Sequence, residues 1–226
     1  MSAGAALLTA EARALLDRGL AALGLALPAD AEARLLAYAA ELVRWNERLN
    51  LTALTTPEAV VDRHLLDSLA VVPEVRGARS LLDLGSGAGL PGVPLAVALP
   101  ELQATLVDAV AKKVSFLKVG VVKAGLVGRV RAVHARLTGA PEREGLAPAE
   151  VVVSRAFLEL GAFLALARPY LAPGGRVVAL LGPAAGDASA LAGPAAAHGY
   201  ALAAFRAFRL PLSGDPRAVA TFTPAA

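Results

Sequence analysis

The stretch 80–97 gathers residue types that could hold a small molecule. Leu81, Leu82 and Leu84 form a short apolar run of the kind a strand buried on both faces carries. Gly85, Gly87 and Gly89 follow at alternate positions, with Asp83 two residues before the first of them. Glycine has no Cβ, so the chain can turn sharply there and a ligand can lie against bare peptide. Pro91 suits the first position of a helix, which Leu95, Val97, Ala98 and Leu99 continue. A strand, a glycine loop and a helix start in that order should aim free N–H groups and a positive dipole end at whatever sits above the loop. The same pattern is also compatible with an ordinary turn in which Asp83 caps the loop amides.

A second carboxylate falls where the next strand should end. Thr105-Leu106-Val107-Asp108 closes an apolar run, and Asp108 lies 23 residues beyond Gly85. That is about the distance at which an acid meets ribose hydroxyls in nucleotide-binding α/β folds. The dinucleotide fingerprint itself is not met, because Leu90 stands where its third glycine belongs. The spacing D-x-G-x-G-x-G instead resembles motif I of the S-adenosylmethionine (SAM) methyltransferases. SAM carries an ammonium group at its amino-acid end, which Asp83 could attract.

Further polar residues stand at positions suited to chemistry. His64 and Asp67 are three apart in an expected helix, so they should share a face and can interact. Arg155 ends the run Val151-Val152-Val153-Ser154, next to the expected crevice. A charge there needs a partner, so Arg155 either pairs with an acid or faces an anion. Arg136-Leu137-Thr138 ends another strand, where a backbone N–H and an apolar side chain could flank an adenine. Asn46 and Asn50 lie one turn apart beside Trp45 and Leu49.

The elements that must position these groups are legible from periodicity. Helical spacing covers 9–23 and 30–49, broken at Pro28 and Asp30, and a third helix starts at Thr56-Pro57 with Thr56 as its cap. Pro73 should close that helix, leaving 74–79 as a linker. From Ser80 onward strands alternate with helices, which implies a parallel sheet with crossover helices. Strands are expected near 80–84, 104–108, 129–133, 150–154, 175–181, 201–208 and 217–222, and a weak alanine-rich helix over 183–198. The chain therefore divides into an N-terminal helical domain, 1–76, and an α/β domain, 77–226.

Composition narrows the classes. The chain has no cysteine and only three histidines, which argues against thiolate chemistry and a histidine-built metal site. No apolar run is long enough to span a bilayer, and Met1 to Ala10 has no basic leader region, so a cytoplasmic protein is expected. Residues 1–76 hold 7 Lys and Arg against 10 Asp and Glu, a balance of −3, and the rest of the chain holds 15 against 9, a balance of +6, which leaves the whole at +3. A basic α/β half fits a phosphate-rich partner, and also fits a merely solvated arginine-rich surface.

Taken together, the chain resembles the RsmG (GidB) family of small-subunit ribosomal RNA guanine-N7 methyltransferases from about Tyr38 to Ala220. The resemblance is carried by Trp45-Asn46-Glu47-Arg48-Leu49-Asn50-Leu51-Thr52, Arg63-His64-Leu65-Leu66-Asp67-Ser68, Asp83-Leu84-Gly85-Ser86-Gly87-Ala88-Gly89-Leu90-Pro91-Gly92 and Ser154-Arg155-Ala156-Phe157. It implies a Rossmann-like, mostly parallel seven-stranded methyltransferase sheet with a helical extension, SAM as cofactor and 16S rRNA or the small subunit as partner, acting as a monomer without a metal. By the same likeness Gly85, Gly87, Gly89 and Leu90 would border SAM, Asp108 its ribose, Leu137 and Thr138 its adenine, and Arg155 the cofactor or target edge. His64 and Asp67 would join Arg155 in catalysis, and Asn50, His64 and Ser154 would border the RNA. One departure stands out: the family's Leu-Lys-Gly in the fifth strand is Leu180-Leu181-Gly182 here, which leaves a methyltransferase of another substrate or a non-catalytic RNA-binding relative as alternatives.

Overall fold

A computed structural model describes residues 6, 8–155, 158–183 and 187–225. Much of the Met1–Ala10 stretch, the Ala156-Phe157 end of the motif at 154–157 and part of the expected helix over 183–198 lie outside the described residues. Two long helices open the chain, α1 (Ala10–Leu23) and α2 (Ala31–Leu49). The Thr9 hydroxyl accepts from the Ala12 N–H at the start of α1, and Gly24, at φ 64°, ends it. α3 follows as Pro57–Val60, a π turn over Val61–Leu66, and Asp67–Leu69. Thr56 caps it through Ala59 N–H, as its sequence suggests. Pro73 does not close α3: it sits in the first turn of a separate short helix, α4 (Val72–Val75), where its missing N–H is not needed.

The α/β part contains β1 (Ser80–Leu84), α5 (Gly92–Ala98), β2 (Gln103–Asp108), α6 (Ala111–Lys123), β3 (Val130–His134) and β4 (Ala149–Arg155). Then come α7 (Leu160–Ala167), β5 (Leu171–Leu181), α8 (Ala188–Ala197), β6 (Tyr200–Arg209) and β7 (Pro216–Pro224). The seven strands lie in the order β3-β2-β1-β4-β5-β7-β6. β1 to β5 run parallel, and β7 inserts antiparallel between β5 and β6. The seven expected strands are all present. β5 begins earlier, at Leu171, because Pro173-Gly174-Gly175 is carried within the strand and not ahead of it.

Strand alternation sends successive side chains to opposite faces, and each face has its own core. Leu81, Leu106, Val153 and Leu180 pack with α1, α2, α3, α5 and α6. Leu82, Val107, Val152 and Ala179 pack with α7 and α8. The helical N-terminal region is thus part of the first core, not a separate one: Leu16, Leu35 and Tyr38 belong to the same cluster as Leu81 and Leu106. It is also tied to the far end of the chain. Asp62, 1% exposed, accepts the N–H groups of Leu212 and Ser213, and Glu74 pairs with Arg206 at 2.8 Å. Among the described residues no helix is long and apolar enough to cross a membrane.

Candidate functional site

The carboxyl ends of β1, β2 and β4 open into a cavity of about 670 Å³. This is the rim at which open α/β sheets bind ligands, where the strand order reverses between β1 and β4. The floor is the loop after β1. Gly85, Gly87 and Gly89 all have positive φ (69°, 59° and 87°), which lets the chain fold back within five residues. Gly85, Gly87 and Leu90 line the cavity. Gly89 does not. A Cβ on it would press on Val93 at 2.9 Å and on the Tyr38 hydroxyl at 3.3 Å, so its bareness serves packing. The Tyr38 hydroxyl donates to Ala88 O, so a fully buried residue of α2 braces the loop from below.

The two acids part company. Asp83 is fully buried. Its Oδ2 accepts from Ser86 Oγ at 2.8 Å and from Gly92 N–H at 2.9 Å. It is a cap, and it uses the helix-start amide that the sequence assigned to the ligand. Pro91 is accordingly the N-cap of α5 and not its first helical residue. Gly92 must be glycine here, since a Cβ would meet Leu106 at 2.3 Å and Asp83 Oδ2 at 2.8 Å. Burial pushes the Asp83 carboxyl up to about 6, against the hydrogen bonds from Ser86 and Gly92. Asp83 is absent from the cavity wall, and its Oδ1 has no hydrogen-bond partner.

Asp108 does face the cavity. Its Oδ2 accepts Gly87 N–H at 2.9 Å and its Oδ1 accepts Val110 N–H at 2.8 Å. Two backbone amides fix the carboxylate plane and leave each oxygen a second lone pair for a ligand. Lys113 Nζ stands 3.9 Å away on the same wall. Val110, Ala135 and Leu137 make the apolar side beyond it.

The opposite wall comes from the helical region. Leu51, Thr52 and His64 line it beside Arg155. His64 Nε2 lies 2.7 Å from Thr52 Oγ1, and Nδ1 lies 3.1 Å from Arg63 O. Burial first, then the nearby Arg155 charge, lower the His64 pKa to about 4, so the ring is neutral at pH 7. The expected His64–Asp67 contact does not form. The π turn changes the residue spacing around the helix, and Asp67 meets Arg155 at 3.3 Å and Arg217 at 3.5 Å. Arg155 also donates to Arg63 O at 3.0 Å. Asp67, 5% exposed, thus stands behind Arg155 and outside the cavity wall.

Three other expected residues lie off the wall. Ser154 is buried, and its hydroxyl donates to Leu84 O at 2.9 Å. Alternation along β4 turns it to the face opposite Arg155, and it does not line the cavity. Thr138 gives both its N–H and its hydroxyl to Glu144 Oε1, each at 2.7 Å, so its amide is not free for an adenine. Asn50 is exposed at the end of α2 with φ 50°. Leu181 packs against the α7–α8 core and does not line the cavity. Sequence reasoning missed Thr52, Lys113 and Val110 as wall residues. Thr52 stands in a quoted motif, and Lys113 lies in the first turn of α6.

Comparison with known proteins agrees with this geometry. The model of the family described as GidB, rRNA small subunit methyltransferase G, matches residues 31–195. A protein named ribosomal RNA small subunit methyltransferase G from Myxococcus xanthus (strain DK1622) is 53% identical over 92% of this chain and 94% of its own length. The protein of the same name from Anaeromyxobacter dehalogenans (strain 2CP-C) is 48% identical over 91% of this chain and 94% of its own. Among solved structures, the S-adenosylmethionine-dependent methyltransferase SibL in its apo form aligns with TM-score 0.60 and 17% identity over 85% of this chain and 70% of that one. A SAM-dependent methyltransferase from Thiobacillus denitrificans, solved with S-adenosyl-L-homocysteine, aligns with TM-score 0.54 and 13% identity over 70% of this chain and 90% of that one. The structural likenesses establish a Rossmann-like methyltransferase fold. With a family model covering most of its length and relatives near half identity, the chain belongs to the rRNA small subunit methyltransferase G family.

Proposed function

We propose that this protein binds SAM in the cavity at the sheet rim and methylates N7 of a guanine in the 16S rRNA of the small ribosomal subunit. The observation that carries the reading is the pairing of a bare Gly85–Gly87 floor with the amide-fixed carboxylate of Asp108. At Gly87 a Cβ would meet nothing nearer than Gly85 O at 3.9 Å, so the backbone edge is open to a ligand. The donor set fits SAM: Asp108 can accept from ribose hydroxyls, and Val110, Leu137 and Ala135 give an apolar bed for a purine. The cavity volume is within the range that holds a nucleoside-sized molecule.

Bound SAM supplies an electrophilic methyl carbon on a sulfonium, and guanine N7 brings a lone pair and no proton to remove. The chain therefore needs to position more than to titrate. That matches its residues. His64 is neutral and held by Thr52, and Arg155 is fixed by Asp67 and the Arg63 carbonyl. We assign these two to the RNA side of the cavity, where they would set the base edge. Asp67 supports Arg155, and the helical region forms the platform against which an unstacked guanine is presented. A cytoplasmic location follows from the ribosomal substrate. The test is transfer of labelled methyl from SAM to small subunits lacking the modification, with N7-methylguanosine mapped in the product. Label recovered in protein or small molecules instead would overturn the rRNA assignment.

A further inference from the structure

The wall that carries Leu137 belongs to no helix or strand, yet it is anchored. β3 ends at His134, and 135–137 continue without regular structure. At the near end Ala135 N–H donates to Asp108 O at 3.2 Å. At the far end Glu144 gathers the loop. Its Oε1 accepts Thr138 N–H and Oγ1–H at 2.7 Å each and Ala140 N–H at 3.4 Å. Its Oε2 accepts the Tyr170 hydroxyl at 2.5 Å, and that hydroxyl in turn accepts Gly139 N–H at 3.0 Å. Tyr170 is 0% exposed and sits in the α7–α8 core. A carboxylate and a phenol outside the cavity thus fasten 138–140 to the interior.

We propose that Glu144 and Tyr170 are positioning residues for the cofactor: they hold the 135–140 loop so that Leu137 meets the adenine, and so set SAM affinity. This rests on the reading of the cavity as a SAM site. A loop fixed beforehand binds without the entropy cost of ordering it. The clamp touches neither the glycine floor nor the Arg155 wall, so it should act on binding and leave the transfer step alone.

The test is SAM calorimetry and steady-state kinetics on the full chain, with amide exchange at Thr138 and Gly139. Glu144→Ala should raise the SAM Kd and KM about tenfold to thirtyfold with kcat at saturating SAM unchanged. Tyr170→Phe keeps the buried ring and removes one hydroxyl, and should raise Kd about threefold. Glu144→Gln can still accept from Thr138 and should recover most of the affinity. The Thr138 and Gly139 amides should exchange at least about tenfold faster in Glu144→Ala. Wild-type protein that binds SAM while Glu144→Ala and Tyr170→Phe bind it equally well overturns the clamp alone. Wild-type protein that binds no SAM overturns the cavity reading and the clamp with it. A fall in kcat in all three variants, without recovery by glutamine, overturns the positioning role.

Discussion

Asp83, next to last in β1, and Asp108, last in the neighbouring parallel strand β2, face the same side of the sheet and differ in their surroundings. Strand register accounts for the difference. Asp83 stands level with Leu106, a core residue, while Asp108 stands level with His134, the last residue of β3. One pleat repeat, roughly 6–7 Å, separates a buried cap from a cavity-facing acid. The same carboxylate is a buried cap at one height and part of the cavity wall at the next.

That contrast can be broken by single substitutions. Asp83→Ala removes the acceptor for Gly92 N–H and Ser86 Oγ inside the core, and should lower folding stability by about 2–4 kcal/mol. The folded fraction should still bind SAM within about threefold of wild type. Denaturant titration and calorimetry check both halves, and a large loss of affinity without loss of stability would merge the two roles. Asp108→Ala should do the reverse. SAM affinity should fall about a hundredfold, near 2.7 kcal/mol, with stability changed by less than about 1 kcal/mol. Water entering the open cavity can take the carboxylate's place at the Gly87 and Val110 amides.

A smaller effect sharpens the comparison through pH. Burial raises the Asp83 pKa to about 6 in the fold, so this group favours the folded state as pH falls from about 6 towards 4, where folded Asp83 holds more protons than the unfolded chain. His64 acts oppositely. Its folded pKa is lowered to about 4, so the unfolded chain takes up more protons below about 6.5, and stability from this group is lost as pH falls through that window. The two slopes offset each other in the wild type. Asp83→Asn should unmask a loss of stability on acidification from pH 6.5 to 4, and His64→Gln a gain, each on the order of 1–3 kcal/mol by chemical denaturation. Parallel pH profiles in all three proteins would contradict both assignments.

The sheet and its crossovers were legible because buried parallel strands read as unbroken apolar runs between turn residues, and all seven were placed within a few residues. The glycine loop and Asp108 were legible from spacing alone. What the sequence hid depends on register and on side-chain face. Asp83 could not be told from Asp108 without knowing their heights, nor Ser154 from Arg155 without knowing which face the helices cover. The π turn in α3 hid the true partner of Asp67, since an α-helical count pairs it with His64. Glu144 drew no attention because its partners are amides of a loop with no pattern and a tyrosine 26 residues away.

The brace from Tyr38 to the Ala88 carbonyl has a practical corollary for protein engineering. Chopping the gene so that it begins at Ser80 would leave every strand of the sheet encoded, but would strip the prop from under the nucleotide loop and uncover the face that α1 and α2 insulate from water. Swapping this helical segment between relatives therefore requires carrying the matching surface around Gly89 along with it.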